Sequence, residues 1–183
     1  MNWSKWVLAA GLVAFPALLR VVTHYADVLP NVAPAAAVAL FCGAVFRDRL
    51  LAFGVPVVGM LLADSMIEWD RSMIGVYLSL LAIVGAGMWV RARGRKPSAV
   101  LCGALGGSLL FFLVTNFQYW LTSDPSLGIY HTPRTFAGLA QAYAQAIPFF
   151  RATLVGDLLY SGVLFGAYAF AAARSPKVAK AAA

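Results

Sequence analysis

Four side chains interrupt otherwise apolar stretches of this sequence: Arg20, Asp64, Asn116 and Asp157. Ionisable and strongly polar groups are costly in hydrocarbon, so they face a helix-bundle interior or a watered cavity and mark a function. Their chemistry suits solute recognition. Arg20 matches an anionic group, and the acids and amides exchange hydrogen bonds with a polar compound. Further polar residues cluster around them. His24 follows Arg20 by four residues and Glu68 follows Asp64 by four, a spacing that puts each pair on one helix face. Thr115, Asn116, Gln118, Tyr119 and Trp120 crowd together, and Tyr160 and Ser161 continue the stripe of Asp157. The expected ligand-binding set is therefore Arg20, His24, Asp64, Glu68, Asn116, Gln118, Tyr119, Asp157 and Tyr160. Phe117, Tyr119 and Trp120 add an apolar lining that suits a ring-containing compound such as a vitamin precursor. A structural role stands beside this one. Arg20, Asp64 and Glu68 are close enough to an interface to snorkel, Tyr and Trp populate interfacial belts, and an Arg20–Asp64 or Arg20–Asp157 pair would bridge two helices. Asn116 and Asp157 are too short to reach water readily.

The elements that carry these residues are membrane spans. Hydrophobic residues make up 62% of the 183 residues and charged ones 11%, with a mean hydropathy of +0.80. That excludes an ordinary soluble domain. Six spans of ~20 residues fit the length. The expected fold is a single all-α transmembrane bundle with spans at about 6–22, 32–46, 50–67, 73–90, 98–121 and 152–173. The second is short and starts among Pro30 and Pro34, which predicts a tilt or an irregular turn. Lys5 and the apolar run behind it imitate a secretory signal, but no small-x-small cleavage site closes it, so it reads as a retained span.

Orientation follows from the basic residues. With the N-terminus inside, ten lie on the cytoplasmic side, densest at Arg91, Arg93, Arg95 and Lys96, against Arg20, Arg71, Arg134 and Arg151 outside. The positive-inside rule then places both termini in the cytoplasm of a multi-pass protein of the bacterial inner membrane. The net charge of +7 is spread over loops and gives no patch for nucleic acid. On this topology the four intramembrane polar residues lie toward the outer face at one depth, which predicts a pocket open to the outside.

Between the last two spans, Thr132-Pro133 offers an N-cap and a first-turn proline. Phe136, Leu139, Ala140, Tyr143 and Ile147 recur at helical spacing until Pro148. This predicts an amphipathic interfacial helix within the outer loop 122–150, or a lid that brings Tyr130 or His131 to a ligand. Small residues at Ala10/Ala14, Gly103/Gly107 and Gly162/Gly166 permit close helix approach. Cys42 and Cys102 read as small core residues, too few for a metal site, and no cofactor is expected. Catalysis is not expected either. Asp64 and Asp157 resemble a carboxylate dyad, but Leu154-Val155-Gly156-Asp157 lacks the first glycine of the Gly-x-Gly-Asp of intramembrane aspartyl proteases. The Gly-x-Ser-x-Gly and His-Glu-x-x-His motifs are absent.

Several stretches resemble an uncharacterised family of small six-helix bacterial membrane proteins. They are Pro30-Asn31-Val32-Ala33-Pro34, residues 39–49, Leu113-Val114-Thr115-Asn116-Phe117, Ala146-Ile147-Pro148-Phe149-Phe150 and Gly156-Asp157-Leu158-Leu159-Tyr160. More distantly, the proline-bounded second span and the six-helix layout are similar to S components of energy-coupling factor (ECF) vitamin transporters. That resemblance implies capture of a small solute from outside. It also implies docking through Ala10 and Ala14, which match an alanine-x-x-x-alanine motif, onto an energising transmembrane subunit driven by ATPases. Pro16 departs from the pattern, and the outer-loop cysteine of some cobalamin carriers is absent. Two other functions fit the same residues: a structural or assembly subunit of a larger membrane complex, and a small channel or carrier dependent on Asp64 and Asp157.

Overall fold

The structure is a computed structural model in which residues 3–26, 34–67, 73–124, 126 and 132–174 are described. The described residues form six helices: α1 (Trp3–Ala26), α2 (Ala35–Val45), α3 (Arg49–Met66), α4 (Met73–Ala92), α5 (Pro97–Thr122) and α6 (Phe136–Arg174). No strand occurs among the described residues. Five helices are long and apolar enough to cross a membrane, which marks a multi-pass membrane protein. The exception is α2. Its 11 residues rise about 16 Å, roughly half of a ~30 Å hydrocarbon core. The expected second span, 32–46, is thus a half-length helix.

What α2 lacks in length it makes up in burial. Every residue from Ala36 to Val45 is buried, the pattern of a helix that is apolar on all sides because neighbours surround it. It touches all five other helices. Its small residues allow that closeness. A Cβ added to Gly43 would lie 2.0 Å from the Val84 carbonyl oxygen, and one on Gly87 would lie 2.2 Å from that of Leu40. The backbones of α2 and α4 therefore meet directly. Gly103 of α5 is equally constrained, with Val90 2.7 Å and Leu40 3.1 Å from a Cβ placed there.

Two arginines close the C-terminal end of α2. Arg91 donates to the Phe46 carbonyl through Nη1 and Arg95 to the Ala44 carbonyl through Nε at 2.9 Å. Cations at a helix C-terminus complement its dipole. Arg95 reaches there from a left-handed turn, with φ of 71° at Gly94 and 55° at Arg95. The basic segment 91–96 thus contributes to the core as well as to charge asymmetry. Asp48 then caps α3 by accepting from the Leu50 N–H at 2.9 Å.

Helices α1 and α3 run side by side in the same direction. Val13 faces Gly59, Arg20 meets Asp64, and the Tyr25 hydroxyl donates to the Met66 carbonyl at 2.7 Å. Helix α6 differs from expectation. The amphipathic stretch and the last span form one 39-residue helix that passes through Pro148, about 58 Å long and well beyond the hydrocarbon thickness. Pro148 lies on an exposed face, where the surroundings tolerate its missing N–H. The cap also differs. Thr135, not Thr132, accepts from the Gly138 N–H at 3.1 Å, while the Thr132 N–H donates to Ser123 Oγ at 2.8 Å.

Candidate functional site

Asp64 belongs to a three-helix network. Its side chain is fully buried. Arg20 Nη2 of α1 donates to Oδ1 at 3.0 Å, and the Tyr77 hydroxyl of α4 donates to Oδ2 at 2.8 Å. Both oxygens are served and the charge is paired. Arg20 retains 32% side-chain exposure, so the guanidinium is partly solvated while the carboxylate is not. Asp64 lies two residues before the end of α3 and Tyr77 four after the start of α4, so the network sits at the end of the bundle away from the Arg91–Lys96 turn. Tyr77 did not stand out in the sequence, because a tyrosine near a span end reads as an interfacial anchor.

Asp157 has other surroundings. It is 2% exposed. Ser108 Oγ of α5 lies 2.6 Å from its Oδ2 and 3.0 Å from the Ala104 carbonyl oxygen. Asp157 Oδ1 and Ser161 Oγ are buried without a hydrogen-bond partner. Both residues line a void among α2, α4, α5 and α6, bordered also by Ala36, Ala37, Ile83 and Ser108, that is too narrow for a water molecule. Ser108 is eleven residues from one end of α5 and fourteen from the other. Asp157 therefore lies at mid-depth, and the polar residues do not share one level as expected. The cause is the continuity of α6, which moves the start of the last helix from residue 152 to Phe136.

The first turn of α2 begins at the same depth. Val38 is the first residue to bond back within the helix, to the Pro34 carbonyl at 2.8 Å, which leaves the amides of Ala35, Ala36 and Ala37 without helical acceptors. A helix N-terminus favours a nearby negative charge by up to about 2 kcal/mol, and a hydrogen bond to a charged group contributes about 1.5–3 kcal/mol. Dehydrating a carboxylate costs several kcal/mol. These opposing contributions are comparable, and among the described residues no cation is paired with Asp157 as Arg20 is with Asp64.

Asn116 occupies a third setting. Its Nδ2 donates to the Phe112 carbonyl at 2.8 Å, and the side chain lies where two recesses between α5 and the first half of α6 meet. The recesses have volumes of about 250 and 220 Å³ and share Asn116, Ala146 and Phe149. Tyr119 and Gln145 line one, and Phe111, Phe150, Thr115 and Thr153 line the other. Phe112 buttresses the wall, with ring centroids 4.6 Å from Phe150 and 5.5 Å from Tyr143. The result is an aromatic cleft with a few amide and hydroxyl groups, the usual make-up of a small-molecule site.

The remaining expected residues are scattered. Gln118 packs over Gly75 of α4, its Oε1 2.3 Å from where a Cβ would stand. Tyr160 meets the Phe15 ring edge-on at 6.3 Å. His24 is exposed and stacks edge-on with Tyr25. Glu68, like Asp27, Tyr130 and His131, lies outside the described residues. Ala10 and Ala14 are exposed on the face of α1 opposite the buried Ala9, Leu12 and Pro16. Gly162 and Gly166 are also exposed and have open space above them, so of the three expected small-residue pairs it is Gly103 and Gly107 that pack against other helices. Cys42 is buried as expected, whereas Cys102 is exposed. Among the described residues no three His, Cys, Asp or Glu side chains gather as metal ligands.

Residues 1–179 match the family described as "Family of unknown function (DUF6580)", and the chain belongs to that family. No curated protein and no solved structure matches it.

Proposed function

We propose that this protein is a membrane transport component that binds a small, ring-containing polar solute in the α5–α6 cleft. The observation that carries the reading is Asn116, one amide held at the junction of two aromatic recesses. Its Nδ2–Phe112 bond fixes the side chain, so Oδ1 and the second N–H are presented in a set orientation. Charge asymmetry supports an orientation in the bacterial inner membrane with the Arg91–Lys96 end cytoplasmic. The cleft, at the far half of α5, then opens toward the outer face. The exposed Ala10 and Ala14 support docking of an energising transmembrane subunit, as in the S components that the sequence distantly resembles.

A thermal-shift screen with ring-containing, vitamin-like compounds tests this. A compound that binds should raise the unfolding temperature of the native protein and leave the Asn116→Ala and Phe149→Ala variants unshifted. Equal shifts in all three proteins would move binding away from the cleft.

A second reading draws on the outward small-residue faces, Ala10/Ala14 on α1 and Gly162/Gly166 on α6. Such faces suit close contact with other transmembrane helices, as in an assembly subunit of a larger complex. Purification with a stoichiometric protein partner and no solute would favour it.

A further inference from the structure

We infer that Asp157 is a proton-binding site at the centre of the bundle, its proton shared with Ser108. The inference does not depend on the solute cleft and rests on different residues. Its first support is the count of hydrogens. A serine hydroxyl carries one proton, and inside a helix it is normally donated to the carbonyl four residues back. Ser79 does this toward the Gly75 carbonyl at 2.6 Å, and Thr115 toward that of Phe111 at 2.7 Å. Ser108 keeps the same contact with Ala104 at 3.0 Å while also lying 2.6 Å from Asp157 Oδ2. One hydroxyl proton serves only one of these contacts at full strength, or is divided between the two. A proton on Asp157 Oδ2 completes both bonds, with the acid donating to Ser108 Oγ and Ser108 donating to the Ala104 carbonyl.

The second support is what surrounds the other oxygen. Asp157 Oδ1 and Ser161 Oγ are buried and unpartnered beside a void that excludes water. The groups facing the acid are Ala36, Ala37 and Leu40 of α2, Ile83 of α4, and Ala104 and Ser108 of α5, and none is titratable. Among the described residues no cation pairs with the carboxylate, and the void beside it is too narrow for a hydrated ion. A proton is the cation that fits.

The third support is the half-length α2. Its N-terminus ends beside the same void, because Ala36 and Ala37 belong to its first turn. Broken helices that end at mid-membrane beside ionisable groups are a recurring arrangement in coupled transport. Here the positive end of α2 favours the carboxylate once the proton leaves, and burial favours the acid while the proton stays. The site is thus balanced for reversible protonation, which a fixed ion pair such as Arg20–Asp64 is not.

Infrared spectroscopy of the full-length protein in lipid nanodiscs at neutral pH tests this directly. The native protein should show a protonated-carboxyl C=O band, sensitive to H/D exchange, that disappears in Asp157→Asn. In Ser108→Ala the band should persist at shifted frequency, since the acid loses its hydrogen-bond acceptor. Ser108→Ala keeps the test open if Asp157→Asn does not fold. Absence of the band in the native protein, or its survival unchanged in Asp157→Asn, would overturn the inference. So would a sodium-dependent rise in unfolding temperature that Asp157→Asn abolishes, because it would show an ionised carboxylate holding a metal cation.

Discussion

Asp64 and Asp157 are both buried acids in apolar helices, yet they are served differently. Asp64 has a partner on each oxygen, a guanidinium on one and a phenol on the other. Asp157 has a single hydroxyl on one oxygen and an empty contact on the other. The first arrangement ties α1, α3 and α4 together and gives each carboxylate oxygen a partner. The second leaves valence unspent at mid-depth, beside the start of a helix that stops halfway. Burial does not distinguish the two acids; the state of the second oxygen does.

Substitutions can break or sharpen this contrast. The largest effect is expected for Arg20→Ala, which strands the Asp64 charge in a dry site and should lower stability by about 3 kcal/mol, read as a large fall in the unfolding midpoint. A change below about 0.5 kcal/mol, the range of ordinary surface substitutions, would mean that the bridge is not structural. Tyr77→Phe removes one bond to the same carboxylate and should cost about 1.5–3 kcal/mol on the same scale. Asp157→Asn keeps the shape of a neutral acid and can still donate to Ser108, so its stability should change by less than about 1 kcal/mol. A loss as large as that of Arg20→Ala would put the two acids in one class. A similarly small stability effect, below about 1 kcal/mol, is expected for Asn116→Ala because the lost bond lies within one helix, although solute binding should vanish.

Much of the scaffold was legible from hydropathy. Helices α1, α3, α4 and α5 fall within a few residues of their expected bounds, because long apolar runs closed by charged or proline-bearing turns leave little choice. Two elements were misread for physical reasons. A proline ordinarily ends a helix, but at an exposed position of a long helix Pro148 is carried through. Spans were counted by apolar content, and α2 is apolar enough but too short to cross. Its prolines and its length were visible, whereas its encirclement by five helices was not.

The site was less legible. Arg20–Asp64 was weighed as a bridge, and the structure brings the two together. Asn116 and Tyr119 crowd together in the sequence, and both line a recess between α5 and α6. Ser108 was missed because it sits in the glycine-rich run Gly106-Gly107-Ser108, which reads as packing rather than chemistry. Arg91 and Arg95 were read as topology signals, yet both bond to backbone carbonyls at the end of α2. Such pairings depend on which helices are neighbours, and periodicity within one segment carries no information about that.

The most direct test of the solute reading is native mass spectrometry of the protein released gently from bacterial membranes, comparing the native chain with Asn116→Ala. The account predicts a small molecule retained by the native protein and absent from the variant, with both folded. A stable protein partner and no small molecule on either chain would contradict it, and would leave the cleft as a seam between helices.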